Sequence, residues 1–230
     1  GGTAVGTGLG APRRYIFRVV EHLRAITGLG LARAENLIDA TQNADVFVEV
    51  SGMLRALATS LLKVSNDLRL LSSGPVAGLG EIELPPRQAG SSIMPGKVNP
   101  VIPEAVGQAA LSIAAHDQAL ASAASLGNLE LNHFLPLIAD SLLTSLDLAR
   151  NACQIFVRHC VRGITANESR CRQAVAAATA TVTALVDPLG YPAAEAVARA
   201  AQAEGKTVRQ VVLDQGLLTA EQFDEAIAPG

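Results

Sequence analysis

Apolar residues recur along this chain at helical spacing over unusually long stretches. Between about Gln42 and Ser72 they fall at Phe47, Val50, Leu54, Leu57, Leu61, Val64, Leu68 and Leu71, alternately three and four residues apart. That is the seam of a heptad-like helix and not the strict alternation of a strand. At about 1.5 Å of rise per residue, such a helix is roughly 45 Å long. A second stripe, Leu131, Leu135, Ile138, Leu142, Leu146, Ala149, Cys153, Phe156 and Cys160, predicts a long helix from after Gly127 to about Val161. Between them a third helix is expected from Asn99 to about Ser125, with Asn99 as N-cap and Pro100 in the first helical position. Its alanine-rich surface would let neighbouring helices approach closely. A further helical pattern begins near Pro12, after a glycine-rich opening over residues 1–11.

The pattern fails between Ser73 and Val98, where five glycines and four prolines forbid a continuous helix. A connection this long inside a helical protein is usually functional or disordered. The character changes again from Gly163. Shorter helices follow, announced by capping boxes at Thr165-x-x-Glu168, Thr207-x-x-Gln210 and Thr219-x-x-Gln222. The expectation is an all-α chain. Residues 1–162 form part of a central bundle of long helices carrying the loop 73–98, and 163–230 form a small helical C-terminal domain.

Composition supports that class. Of 230 residues, 40 are Ala and 30 Leu, both strong helix formers, whereas aromatics make up only 3%. A net charge of -3 gives no electrostatic footprint for nucleic acid, and the scattered basic residues give none for a membrane surface. The longest apolar run, Ala174–Val186, is 13 residues, too short to span a bilayer. Cys153, Cys160 and Cys171 are odd in number and lack a C-x-x-C pair, which reads as reduced thiols in a cytoplasmic protein. No metal or cofactor is expected. Glu130-x-x-His133 has di-iron spacing without the second pair such a site needs. Gly6-Thr7-Gly8-Leu9-Gly10-Ala11 fits a dinucleotide fingerprint without its strand.

The informative stretch is Gly90-Ser91-Ser92-Ile93-Met94-Pro95-Gly96-Lys97-Val98-Asn99-Pro100. It is a Gly/Ser loop running into a helix start. Exposed backbone N–H groups and the positive end of a helix dipole favour an anion there. Lys97 adds a full charge, and Asn99 can donate and accept hydrogen bonds. A carboxylate or phosphate site is one expectation, and a polar connecting loop is the other. The P-loop pattern fails after Lys97.

This segment resembles the signature loop G-S-S-x-M-P-x-K-x-N-P of the fumarase/aspartase superfamily. The resemblance runs along the whole chain. Gly2-Thr3-Ala4-Val5-Gly6-Thr7-Gly8-Leu9 looks like the segment ahead of the third bundle helix. Asp67-Leu68-Arg69-Leu70-Leu71-Ser72-Ser73-Gly74-Pro75 looks like the end of that helix, and Leu129-Glu130-Leu131-Asn132 like the turn into the last one. Gly163-Ile164-Thr165-Ala166-Asn167 looks like the start of the small C-terminal domain. Three segments look more like aspartate ammonia-lyases than fumarate hydratases: Leu84-Pro85-Pro86-Arg87-Gln88-Ala89-Gly90, Val101-Ile102-Pro103-Glu104 and Gly205-Lys206-Thr207-Val208-Arg209.

The resemblance implies a mechanism. Ser91 would be the base that removes a Cβ proton from a small dicarboxylate substrate. The aci-carboxylate formed would rest on backbone N–H groups of Ser92, Ile93 and Met94. Lys97 and Asn99 would hold carboxylate oxygens, and Glu104 would pair with a histidine from elsewhere. The family's enzymes are roughly twice this length and are homotetramers with composite sites. This chain is therefore expected to be a C-terminal fragment, inactive alone and prone to self-association. A class II fumarate hydratase and a non-catalytic helical scaffold of the same fold are the alternatives.

Overall fold

The structure is a computed structural model that describes residues 2–74, 77–88, 96–178 and 180–228. Among the described residues the elements run α1 (Arg13–Thr27), α2 (Asp39–Gln42), α3 (Asp45–Leu71), β1 (Ile82–Glu83), α4 (Val101–Ser125), α5 (Leu135–His159), β2 (Thr165–Ala166), α6 (Glu168–Ala177), α7 (Thr181–Ala184), α8 (Val186–Leu189), α9 (Tyr191–Glu204), α10 (Val208–Asp214) and α11 (Ala220–Ala226). The fold is all-α, with β1 and β2 forming one short antiparallel pair. No described helix is long and apolar enough to cross a membrane. The chain divides into two compact units. One comprises Gly1–Leu70 with Leu84–Gly163, and the other Leu71–Glu83 with Ile164–Gly230.

The first unit is built on α3, α4 and α5. On α4 the buried positions are Pro103, Val106, Ala110, Ile113, Asp117, Leu120 and Ala123, at three- and four-residue spacing. Three apolar clusters stack along the bundle, centred on Leu120 with Ile138, Ile113 with Ala149, and Val106 with Phe156. The buried seam of α3 runs beside half of its apolar stripe, since Leu54, Leu61 and Leu68 pack on the core clusters. It is Ser51, Ala58 and Ser65, each seven residues apart, whereas Phe47, Leu57 and Val64 are 38–43% exposed. Small side chains let helix backbones come together, and the large residues beside them are left flanking the seam. The same rule gives α5 its buried Ser141, Ser145, Ala149 and Ala152.

A polar layer crosses this unit at mid-length. Buried Ser51 Oγ donates to Asp117 Oδ1 at 2.7 Å, and Arg55 pairs with Asp117 Oδ2 at 3.2 Å. His116 Nδ1 and the buried Ser145 Oγ lie 3.3 Å apart, in contact between α4 and α5. A buried carboxylate is tolerated only when paired and hydrogen-bonded, as here.

The last bundle helix starts at Leu135, later than its apolar stripe suggests. Residues 128–134 form a turn instead, with Leu129 at φ 49°. Asn132, 2% exposed, fixes it. Its Nδ2 donates to Ala123 O at 3.1 Å and Ala124 O at 3.2 Å, and its Oδ1 accepts from Phe134 N at 2.8 Å. One side chain thus serves two carbonyls in the last turn of α4, one of them shared with Leu126 N, and an amide at the entrance to α5.

In the second unit, Leu185, Val197, Val208, Val211, Val212 and Phe223 form the core. The boxes at Thr207 and Thr219 are formed in both directions. The expected box at Thr165 is not. Thr165 is taken up in β2 opposite Glu83, and Asn167 caps α6 by accepting from Arg170 N. The glycine-rich segment after α3 folds into this unit. Glu81 N donates to Leu71 O, and Arg170 donates to Gly78 O at 2.9 Å and Leu79 O at 3.0 Å. The stretch read as one loop over 73–98 is therefore divided after Glu83, since Leu84 onward belongs with the bundle.

Lys206 bonds Glu204 and Asp214, each at 2.9 Å, and this pushes its pKa up to about 12 from 10.5. A raised folded pKa means stabilisation present in full below about 10.5 and lost as pH rises through about 12. In Lys206→Met this alkaline loss should be missing, and comparing melting curves of the two proteins at pH 9 and above checks it.

Candidate active site at the start of helix α4

Ser91, Ser92, Ile93 and Met94 lie outside the described residues. Lys97, Asn99 and Glu104 are described, and all three sit on the approach to α4 or in its first turn. Gly96 has φ 81°, a left-handed conformation that glycine takes without steric cost, and it turns the chain into Lys97. Lys97 is half-buried and has no ion-pair partner among the described residues.

Asn99 is not the N-cap. That position belongs to Pro100, with no side-chain hydrogen bond. Nor does the helix start present an array of free amides. Val101 N donates to Asn99 O at 2.9 Å and Glu104 N to Pro100 O at 3.1 Å, while Pro100 and Pro103 have no N–H to give. Among the described residues this leaves Ile102 N. The positive end of the α4 dipole remains, so attraction for an anion here rests on that dipole and on the Lys97 ammonium.

Two stretches of chain meet at this end of the bundle. Leu84, Pro85 and Arg87 come from one side, Asn99 to Pro103 from the other, and His159 and Cys160 close the nook between them. Its volume, about 10 Å³, admits one water at most. Leu84 packs with Val106, Phe156 and Cys160. A Cβ at Gly163 would fall 2.5 Å from Pro85 Cγ, so glycine is required there. Arg87 Nε donates to His159 O at 3.0 Å. Burial pushes the Cys160 thiol up, which keeps it protonated and unreactive.

Glu104 faces α3, where Arg69 Nη2 lies 3.9 Å from its Oε1. No histidine pairs with it among the described residues. His133 stacks on Phe134 with ring centroids 4.3 Å apart. Among the described residues no three His, Cys, Asp or Glu cluster as metal ligands. Gly6 belongs to a packing contact, since a Cβ there would meet Leu37 O at 2.4 Å. Arg87, Gly163 and Asn132 are the positions whose structural roles residue-type reasoning missed.

Comparison with known proteins adds an independent line. The family described as "Lyase" matches residues 1–114, and that described as "Fumarase C C-terminus" matches residues 182–230. An aspartate ammonia-lyase from Pseudomonas canavaninivorans is 49% identical over 229 residues, which is 100% of this chain and 48% of that protein. A class II fumarate hydratase from Mycobacterium tuberculosis is 48% identical over 219 residues, covering 95% of this chain and 46% of that one. The crystal structure of fumarate lyase:delta crystallin from Brucella melitensis superposes with a TM-score of 0.92 at 44% identity, over 99% of this chain and 49% of that chain. The chain thus spans about half the length of the relatives it matches.

Proposed function

The chain belongs to the fumarase/aspartase superfamily, and on that premise we propose that it supplies the serine-loop part of an aspartate ammonia-lyase. The reaction is the reversible anti-elimination of ammonia from L-aspartate. Ser91, as alkoxide, takes the Cβ proton. The electron pair left behind is delocalised into the β-carboxylate as an aci-carboxylate, held by backbone N–H groups of Ser92, Ile93 and Met94. Its collapse forms the Cα–Cβ double bond and expels the amine, leaving fumarate and ammonia. Lys97 and Asn99 hold carboxylate oxygens, and Glu104 acts behind them.

The observation that carries this reading is the arrangement at α4. An ammonium without an ion-pair partner among the described residues, an amide side chain and the positive end of a 25-residue helix follow the Ser-Ser loop within ten residues. A substrate with two carboxylates needs that charge. The exposed Phe47, Leu57 and Val64 on α3, and Leu143 on α5, support helices that pack onto these faces in a homotetramer.

Class II fumarate hydratase is the second reading, because the mycobacterial relative, 48% identical, falls within the 44–49% identity of the ammonia-lyases. The reverse reaction separates them. Given fumarate and ammonium, the assembled enzyme should form aspartate and no malate, as followed by proton NMR. Malate as the main product would select the hydratase, and neither product would favour a scaffold.

A further inference from the structure

We infer that Arg87 is a positioning residue for the serine loop, a role that rests on the reading of Ser91 as base. Arg87 lies four residues before Ser91. Its Nε donates at 3.0 Å to the carbonyl of His159, the last residue of α5 and 72 positions further along the chain. The last carbonyls of a helix have no partner inside it and carry the negative end of its dipole. Cys160 O accepts from Gly163 N, so the turn beyond the helix meets its own need, and the guanidinium serves the carbonyl before it. A cation is the group that such a helix end favours.

Arg87 is exposed and its bond lies at the surface, but two neighbours fix the backbone just ahead of it. Leu84 is packed into the cluster of Val106, Phe156 and Cys160, and Pro85 lies against Gly163, where no side chain fits. Leu84, Pro85 and Arg87 thereby hold one stem of the loop to the end of α5. The other stem enters the same nook through Asn99 and Pro100. The apolar contacts fix where that stem begins. Arg87 is its last polar attachment among the described residues before Ser91, and so governs where the base-bearing segment starts out. Lys97 and Asn99 are on the other stem and do not depend on it.

The expected signature is a split between chemistry and binding. In the assembled enzyme, Arg87→Met should lower kcat roughly 10- to 100-fold, because small misplacement of a reacting group is costly. The aspartate KM should stay within about threefold, since binding rests on Lys97, Asn99 and the dipole. Arg87→Lys, which can still donate to a carbonyl, should recover most of the loss. Hydrogen exchange of the 230-residue chain gives a readout independent of catalysis. Amides from Gln88 to Lys97 should exchange at least about tenfold faster in Arg87→Met, with those of α4 and α5 unchanged. If the parent assembly turns out not to be a lyase, the exchange result alone decides the anchor. Unchanged exchange at 88–97 overturns the proposal, as does an active Arg87→Met enzyme with parental kcat, or one whose kcat and KM change together without rescue by lysine.

Discussion

Replacing Ser91 by alanine in the assembled enzyme should lower turnover of aspartate by about 10³-fold or more, with aspartate binding close to that of the parent. A general base contributes on the order of 10²–10⁴ in rate, and alanine has no atom that can take a proton. The groups assigned to binding are the Lys97 ammonium, the Asn99 amide and the α4 dipole, and none of them is altered. The loss should therefore fall on kcat and not on KM. Lys97→Met should do the opposite in emphasis, raising KM at least as strongly as it lowers kcat. A helical scaffold that merely shares the fold would be indifferent to both substitutions. Steady-state kinetics on the two variants separates these cases, and parental turnover in Ser91→Ala would remove the serine base from the mechanism.

Asn132→Ala should destabilise the bundle by about 3 kcal/mol, a large loss for a single uncharged polar side chain. The amide is 2% exposed and makes three hydrogen bonds to backbone groups. Alanine would remove the side-chain partner of Ala124 O and of Phe134 N together, and leave Ala123 O with Leu126 N alone, in a place water reaches poorly. Each net bond is worth roughly 1 kcal/mol, and leaving a buried polar group unpaired costs more. The neighbouring Asn128 is exposed, and its alanine variant should lie within about 1 kcal/mol of the parent. Urea unfolding of the chain with each substitution is the comparison to make. An Asn132 variant as stable as the Asn128 variant would show that the turn does not depend on this clasp.

These results bear on what the sequence could disclose. The long helices were legible because their apolar spacing persists over several heptads, and periodicity survives whatever the helices pack against. Which side of α3 is buried was legible only in part. Leu54, Leu61 and Leu68 of the stripe do pack on the core, but Phe47, Leu57 and Val64 do not, and the deepest line is Ser51, Ala58 and Ser65, because closeness of approach selects small residues. The boxes at Thr207 and Thr219 were readable as local chemistry complete within four residues. Thr165 misled because a strand pairing 82 positions away claims it, a non-local fact.

The same division runs through the site. Lys97 and Asn99 lie in a contiguous motif, so their nearness to α4 could be read directly. That Pro100 and Pro103 lack an N–H is plain in the sequence, whereas the loss of the Val101 amide to the Asn99 carbonyl is visible only in the fold. The Glu104–Arg69 pair and the Arg87–His159 tether join positions 35 and 72 residues apart. No local pattern announces contacts of that kind.

The central claim is that this chain carries the proton-abstracting part of an ammonia-lyase site. It is tested most directly by combining the chain with the half that its relatives also possess, supplying L-aspartate, and following fumarate by its ultraviolet absorbance together with released ammonia. The account predicts fumarate and ammonia in equal amounts from the combined halves, none from either half alone, and none with Ser91→Ala. A properly assembled tetramer that leaves aspartate untouched would contradict it.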